Sequence, residues 1–85
     1  MKPELKKAIM RTLQVQIDRN NYGMMSSSRP DWSDAATLNR AGIVIDSRAN
    51  EIRQNGQPVA KIRRNYASRR VNLMYKELKP TLITL

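Results

Sequence analysis

The chain has 85 residues and a formal net charge of +9, and it contains no Cys and no His. The length predicts a single domain over residues 1–85. The missing side chains exclude disulfides, thiol chemistry, imidazole bases and ordinary zinc sites. No apolar run approaches the roughly 20 residues that cross a bilayer, so we expect no membrane partner and a cytoplasmic protein.

The first element is a helix predicted over residues 3–21. Pro3 suits the first helical turn, and Glu4 complements the positive end of the helix dipole. Gly23 accepts the left-handed conformation that closes a helix. Apolar residues recur at the spacing of one helix face, at Leu5, Ala8, Ile9, Leu13 and Ile17.

Residues 23–30 interrupt this pattern. Three serines followed by Arg29-Pro30 do not hold a regular element easily, which predicts a flexible connector. The alternative makes Met24 and Met25 an exposed contact for a partner protein.

A short second helix is predicted over residues 31–41, with Asp31 or Ser33 as its N-cap. Trp32 falls on the apolar side of this segment. Because large aromatic residues dominate small cores, we expect Trp32 to anchor the core rather than to stack on a nucleobase.

The next stretch favours a β-hairpin and therefore an α+β domain. Ile43–Ile45 is β-branched, which is typical of a strand, and Asn55-Gly56 is the strongest short signal for a two-residue hairpin turn. A regular turn there sets Ile52 opposite Val59. The apolar positions of the two strands then share one face only if a bulge intervenes.

A basic C-terminal helix is predicted from Arg64 to Leu78, because Ala67, Val71, Met74 and Leu78 repeat at helical spacing. In the alternative, this helix begins at Pro58, and the fold is all-α and helix-turn-helix-like. Residues 80–85 form an apolar tail that we expect to fold back on the core.

Positive charge is concentrated in the last third of the chain. Residues 58–85 hold seven Lys and Arg against Glu77 alone, a net charge of +6, whereas residues 22–57 are neutral. Cations there can neutralise phosphates, while amides and hydroxyls can contact bases or backbone. Arg63 and Arg70 lean toward the apolar stripe of the predicted helix and are left out of the site. The predicted site consists of Arg64, Asn65, Ser68, Arg69, Asn72, Lys76, Lys61 and Arg53.

These features predict a non-catalytic protein that binds DNA or RNA through its basic C-terminal helix and hairpin. The alternative is a small basic adaptor or inhibitor that docks on an acidic surface of a partner protein. Asp46 with Glu51–Arg53 approaches a metal-dependent nuclease pattern, but Arg53 stands where that pattern has a lysine, and it is effectively never deprotonated. We therefore predict no enzyme, no metal site and no cofactor. A second copy could complete the modest core as a homo-oligomer.

Overall fold

In the computed structural model, which describes residues 1–25, 27–68 and 76–85, two α-helices lie on one face of a four-stranded antiparallel sheet. The predicted α+β class is confirmed, and the all-α alternative is wrong. Within the described ranges, neither helix is long and apolar enough to cross a membrane. The elements are α1 (Pro3–Tyr22), α2 (Trp32–Arg40), β1 (Ile43–Asp46), β2 (Glu51–Gln54), β3 (Gln57–Ser68) and β4 (Lys76–Thr84), and the strand order follows the chain.

Both predicted helices are confirmed, with boundaries close to those expected. Pro3 occupies the first turn of α1, and Gly23 closes it with a φ of +56° while its N–H donates to the Arg19 carbonyl. Asp31 caps α2 by accepting the Ser33 N–H at 2.8 Å. Between the helices, Gly23–Met25 forms one short 3-10 turn.

The core lies between α1, α2 and the sheet. Its largest fully buried side chains are Ile9 and Leu13 of α1 and Ile52 of β2. The expectation that Trp32 anchors this core is wrong, because its side chain is 85% exposed. Residues advance by about 100° around a helix, so Trp32 lies about 200° from Asp34, which is on the buried side of α2.

The hairpin at Asn55-Gly56 is confirmed, with φ values of +51° and +81° at the turn. Gln54 pairs with Gln57, and the register then shifts so that Ile52 pairs with Ala60 instead of Val59. A bulge therefore intervenes, which is the condition under which the apolar positions share one face. The bulge places Ala60 and Ile62 on the face of the sheet that the helices cover.

The predicted C-terminal helix is wrong over the part of its span that is described. Gln57–Ser68 is one long strand and Lys76–Thr84 pairs with it, while residues 69–75 lie outside the described residues. The apolar tail supplies a partner strand, so that the backbone groups of β3 bond to a distant segment rather than within a helix. The tail does fold back on the core: Pro80 is buried and Leu82 packs against the core cluster.

Candidate nucleic-acid interface

One face of the sheet is turned away from both helices, and we call it the open face. Its exposure is clearest at Val44, which is 57% exposed, and at Ile83, which is 39% exposed. By strand register and burial, the described residues on the open face are Val44, Asp46, Glu51, Arg53, Pro58, Lys61, Arg63, Thr81 and Ile83.

The β1–β2 side of the open face is acidic. Arg53 Nη2 lies 3.0 Å from Asp46 Oδ2 and 2.9 Å from Glu51 Oε2, so one guanidinium is shared by two carboxylates. The pKa of Asp46 is lowered mainly by the hydrogen bond from the Ala49 N–H, and Arg53 lowers it further. The predicted site residue Arg53 therefore has its charge compensated locally.

The β3 side of the open face is basic. Lys61 and Arg63 are exposed, and two residues along a strand place them about 6.6–6.8 Å apart on one face. Neither makes an ion pair with a described residue. Lys61 stands across from Glu51, but the carboxylate of Glu51 is engaged by Arg53. The β3 side of the open face therefore carries two exposed cations that no described acid neutralises.

Arg63 is the residue that sequence reasoning missed. A helical wheel set it beside the apolar stripe, whereas strand alternation sets Ile62 into the core and Arg63 into solvent. The alternation of Ala60, Lys61, Ile62 and Arg63 in the sequence was the signal that could have revealed this orientation.

Arg64 lies on the other side of the strand, where it is half-buried. Its Nε donates to Asn50 Oδ1 at 3.3 Å, and its partner across the ladder is the buried Pro80. The predicted phosphate contact at Arg64 therefore lies at the end of the core and not on the open face.

Beyond this point β3 and β4 continue as a two-stranded ribbon, which we call the arm and define as residues 65–68 and 76–79. Its pairs run from Asn65 with Lys79 to Ser68 with Lys76. In the described chain, β2 pairs with β3 only as far as Lys61, so no third strand flanks the arm. Four residues of strand span about 13 Å.

The arm brings part of the predicted site together on strands rather than on a helix. Asn65, Ser68 and Lys76 all lie at its paired positions. The remaining two predicted residues, Arg69 and Asn72, lie outside the described residues. Lys61 leads into the arm from the open face, and Arg53 is two strands away from β4.

A second cation, Arg11, is paired with a buried carboxylate between the helices although its own side chain is largely exposed. Arg11 Nε and Nη2 donate to the two carboxylate oxygens of Asp34 at 2.8 and 2.6 Å. The Arg11 hydrogen bond holds the pKa of Asp34 below its usual range, against the opposing effect of burial, and raises the pKa of Arg11. This pair joins residues 23 apart in sequence, so no local pattern in the sequence indicates it.

Two further surface features lie near α2. A cleft of about 740 Å³ separates α1 from α2, with Leu38, Ile43 and Ile45 among its lining residues. Trp32 and Met25 are exposed, at 85% and 91%. Across the described chain, no three Asp or Glu side chains are grouped as a metal site.

No protein-family model, no curated protein and no solved structure matches the chain. Its function is therefore inferred from its own geometry and charge.

Proposed function

We propose that this protein binds nucleic acid without catalysis, through the basic edge of the open face and the arm that continues it. The observation that carries the proposal is the pair Lys61 and Arg63, exposed at the root of the arm without an ionic partner among the described residues. From Lys61 to Lys79 the sequence has seven cations and one acidic residue. Cations in such a segment can neutralise the phosphates of a nucleic acid and release their counterions.

The distribution of charge gives this attraction a direction. Asp46 and Glu51 repel a polyanion from the β1–β2 side, where Arg53 compensates only part of their charge. Lys61 and Arg63 attract it on the β3 side. A bound phosphate backbone is therefore steered toward the arm rather than across the centre of the sheet.

The proposal is non-catalytic because the described carboxylates already have structural partners or positions. Asp34 is paired with Arg11, and Asp46 accepts N–H groups of its own loop in addition to Arg53. Asp31 caps α2. These contacts explain the positions of all three without a reaction.

The test compares Arg63→Ala with a matched control, Arg40→Ala. Both residues are exposed arginines, but Arg40 lies in the last turn of α2, beside Gln54 at the opposite end of the sheet from the arm. We expect Arg63→Ala to weaken binding to oligonucleotides of unrelated sequence, and to do so by a similar factor for each of them. For duplex DNA, the slope of log affinity against log salt concentration should become smaller in magnitude by about 0.9. Arg40→Ala should change the slope less.

Binding of the unaltered protein to both DNA and RNA weaker than about 100 µM at low salt would overturn the proposal. Equal salt slopes for Arg63→Ala and Arg40→Ala would overturn the location of the site. Fluorescence anisotropy with labelled oligonucleotides measures both quantities.

A second candidate function is a basic adaptor that docks on an acidic surface of a partner protein, and exposed Trp32 is the observation in its favour. A tryptophan 85% in solvent is the residue type that most often carries the binding energy of a protein interface. Retention of one partner from nuclease-treated lysate, lost on Trp32→Ala and kept on Arg63→Ala, would support this function. Loss on nuclease treatment would contradict it.

A further inference from the structure

Helix α2 presents an uncharged patch to solvent, and Trp32 is its largest member. The side chain of Trp32 is 85% exposed. Residues three, four and seven positions further along lie on the same side of a helix, and here they are Ala35, Ala36 and Asn39, all exposed. We call these four residues the α2 patch. It combines one protruding aromatic ring with a lower surface beside it.

The charged side chains at α2 balance one another. Asp31 caps the start of the helix and Arg40 lies in its last turn, and both are exposed. The other acid of the helix, Asp34, is buried and paired with Arg11. Because the whole chain carries a charge of +9, two copies repel each other over much of their surfaces. The α2 patch has no charge of its own, so two copies can meet there with little of that repulsion.

The α2 patch is complementary to itself when two copies of the helix run antiparallel. A two-fold axis between Ala35 and Ala36 sets Trp32 of one copy opposite Asn39 of the other, across the low surface of the alanines. The same axis sets Asp31 of each copy opposite Arg40 of the other. Short side chains at the crossing let the helix axes approach to about 8 Å, and antiparallel helix dipoles attract each other.

From this complementarity we infer that the α2 patch binds a second copy of the chain as a symmetric dimer. An acidic partner surface would be repelled by Asp31 beside Trp32, whereas a second copy brings Arg40 to that position. The nine residues of α2 extend about 13 Å, so the buried area lies at the low end for a protein interface. We therefore expect a dissociation constant of about 0.1–1 mM. The inference does not depend on nucleic-acid binding.

Sedimentation equilibrium of the full chain tests this association. At about 0.15 M salt the Debye length is about 8 Å, which screens the repulsion between distant charges. From about 10 µM to 1 mM the average mass should rise from that of a monomer toward that of a dimer. The emission of Trp32 should move to shorter wavelength over the same range, because the ring leaves water. Trp32→Ala should weaken the association at least about tenfold.

The pairing of Asp31 with Arg40 is tested by reversing one charge. Arg40→Glu places two carboxylates at each end of the helix pair and should weaken the dimer about tenfold. Adding Asp31→Asn keeps an N-cap residue but removes one of those carboxylates, so part of the loss should be recovered. Lys7→Glu, at an exposed lysine of α1, lowers the net charge of the chain equally and should not weaken the dimer.

A chain that stays monomeric up to about 1 mM would overturn the inference. An association that survives Trp32→Ala, or that Lys7→Glu weakens as much as Arg40→Glu, would overturn its location at α2. Thermal unfolding at low micromolar concentration, where the chain is monomeric, confirms that the variants fold. Each of these failures leaves the proposed nucleic-acid binding standing, because Lys61 and Arg63 lie on the open face of the sheet.

Discussion

The same four strands form both faces of the sheet, but one face packs against the helices and the other is exposed to solvent. The covered face places Ile43, Ile52, Ala60 and Ile62 against the helices, where all are buried. The open face places Val44, Lys61 and Arg63 in solvent. Since the side chains of neighbouring residues point to opposite faces, one segment of β3 supplies both the core and the proposed contact surface.

The arginines show why net charge alone is a poor guide to a binding surface. Arg11 and Arg53 each meet carboxylates within 3.0 Å and contribute to the fold. Arg63 has the same side chain and meets no described acid. The charge that a ligand experiences is therefore determined by pairing, which depends on contacts distant in sequence.

The difference in burial between the two faces is tested most directly by shortening one apolar side chain on each face. Ile52→Ala should lower the free energy of unfolding by about 2–5 kcal/mol, because Ile52 is fully buried and its loss leaves a cavity. Val44→Ala, on the open face, should change it by no more than about 0.5 kcal/mol. Urea denaturation measures both, and equal losses would mean that the open face is covered.

A smaller effect is expected on the pH dependence of stability, through Asp34. Arg11 lowers the pKa of Asp34 in the folded state, so this stabilisation is complete above the pKa of the unfolded chain and is lost as pH falls through the lower folded pKa. Asp34→Asn should cost about 1–2 kcal/mol at neutral pH, reduced from a fully buried pair because Arg11 is 58% exposed.

The variant should accordingly lose less stability than the unaltered protein as pH falls through and below the ordinary titration range of an Asp carboxyl. Denaturation curves across that range measure the difference. If the two proteins lost stability in parallel, the Arg11–Asp34 pair would not be the source of the acid sensitivity.

The acidic β1–β2 side of the open face is tested by removing one of its carboxylates. Glu51→Gln leaves Arg53 with Asp46 alone and removes the carboxylate opposite Lys61. One surface charge is worth about 1 kcal/mol or less, so we expect nucleic-acid affinity at low salt to rise about three- to fivefold. Glu4→Gln, at an exposed carboxylate near the start of α1, is the matched control and should have less effect. An unchanged affinity for Glu51→Gln would place the ligand elsewhere.

Local signals in the sequence were sufficient to predict the two helices and the hairpin. Pro3, Gly23 and Asp31 delimit the helices, and Asn55-Gly56 locates the hairpin, because each acts through its own backbone. The last third was misassigned because strand β3 depends on a partner strand, β4, whose residues lie 8 to 24 positions away in sequence. The helical repeat of Ala67, Val71, Met74 and Leu78 carried no information about that pairing.

The candidate site was affected in the same way. The basic stretch of sequence was correctly singled out as an unusual concentration of cations, but which of them reach solvent depends on backbone periodicity. A period of 2 rather than 3.6 exposes Arg63 and turns Arg64 toward Asn50. The compensation of Arg53 by Glu51 follows from side-chain geometry that composition does not encode.

The smallest effect is expected at Trp32. Because its side chain is 85% exposed and points away from the buried side of α2, Trp32→Ala should change the free energy of unfolding by less than about 0.5 kcal/mol. Leu38→Ala on the same helix should cost about 2–4 kcal/mol, because Leu38 is buried in the core cluster.

As the chain has a single tryptophan, its fluorescence reports this position alone, and the emission maximum should shift little on unfolding. A large blue-shifted signal in the native protein, or a loss comparable to that of Leu38→Ala, would mean that Trp32 is covered in solution. A covered Trp32 whose signal depends on protein concentration would indicate that a second copy provides the cover.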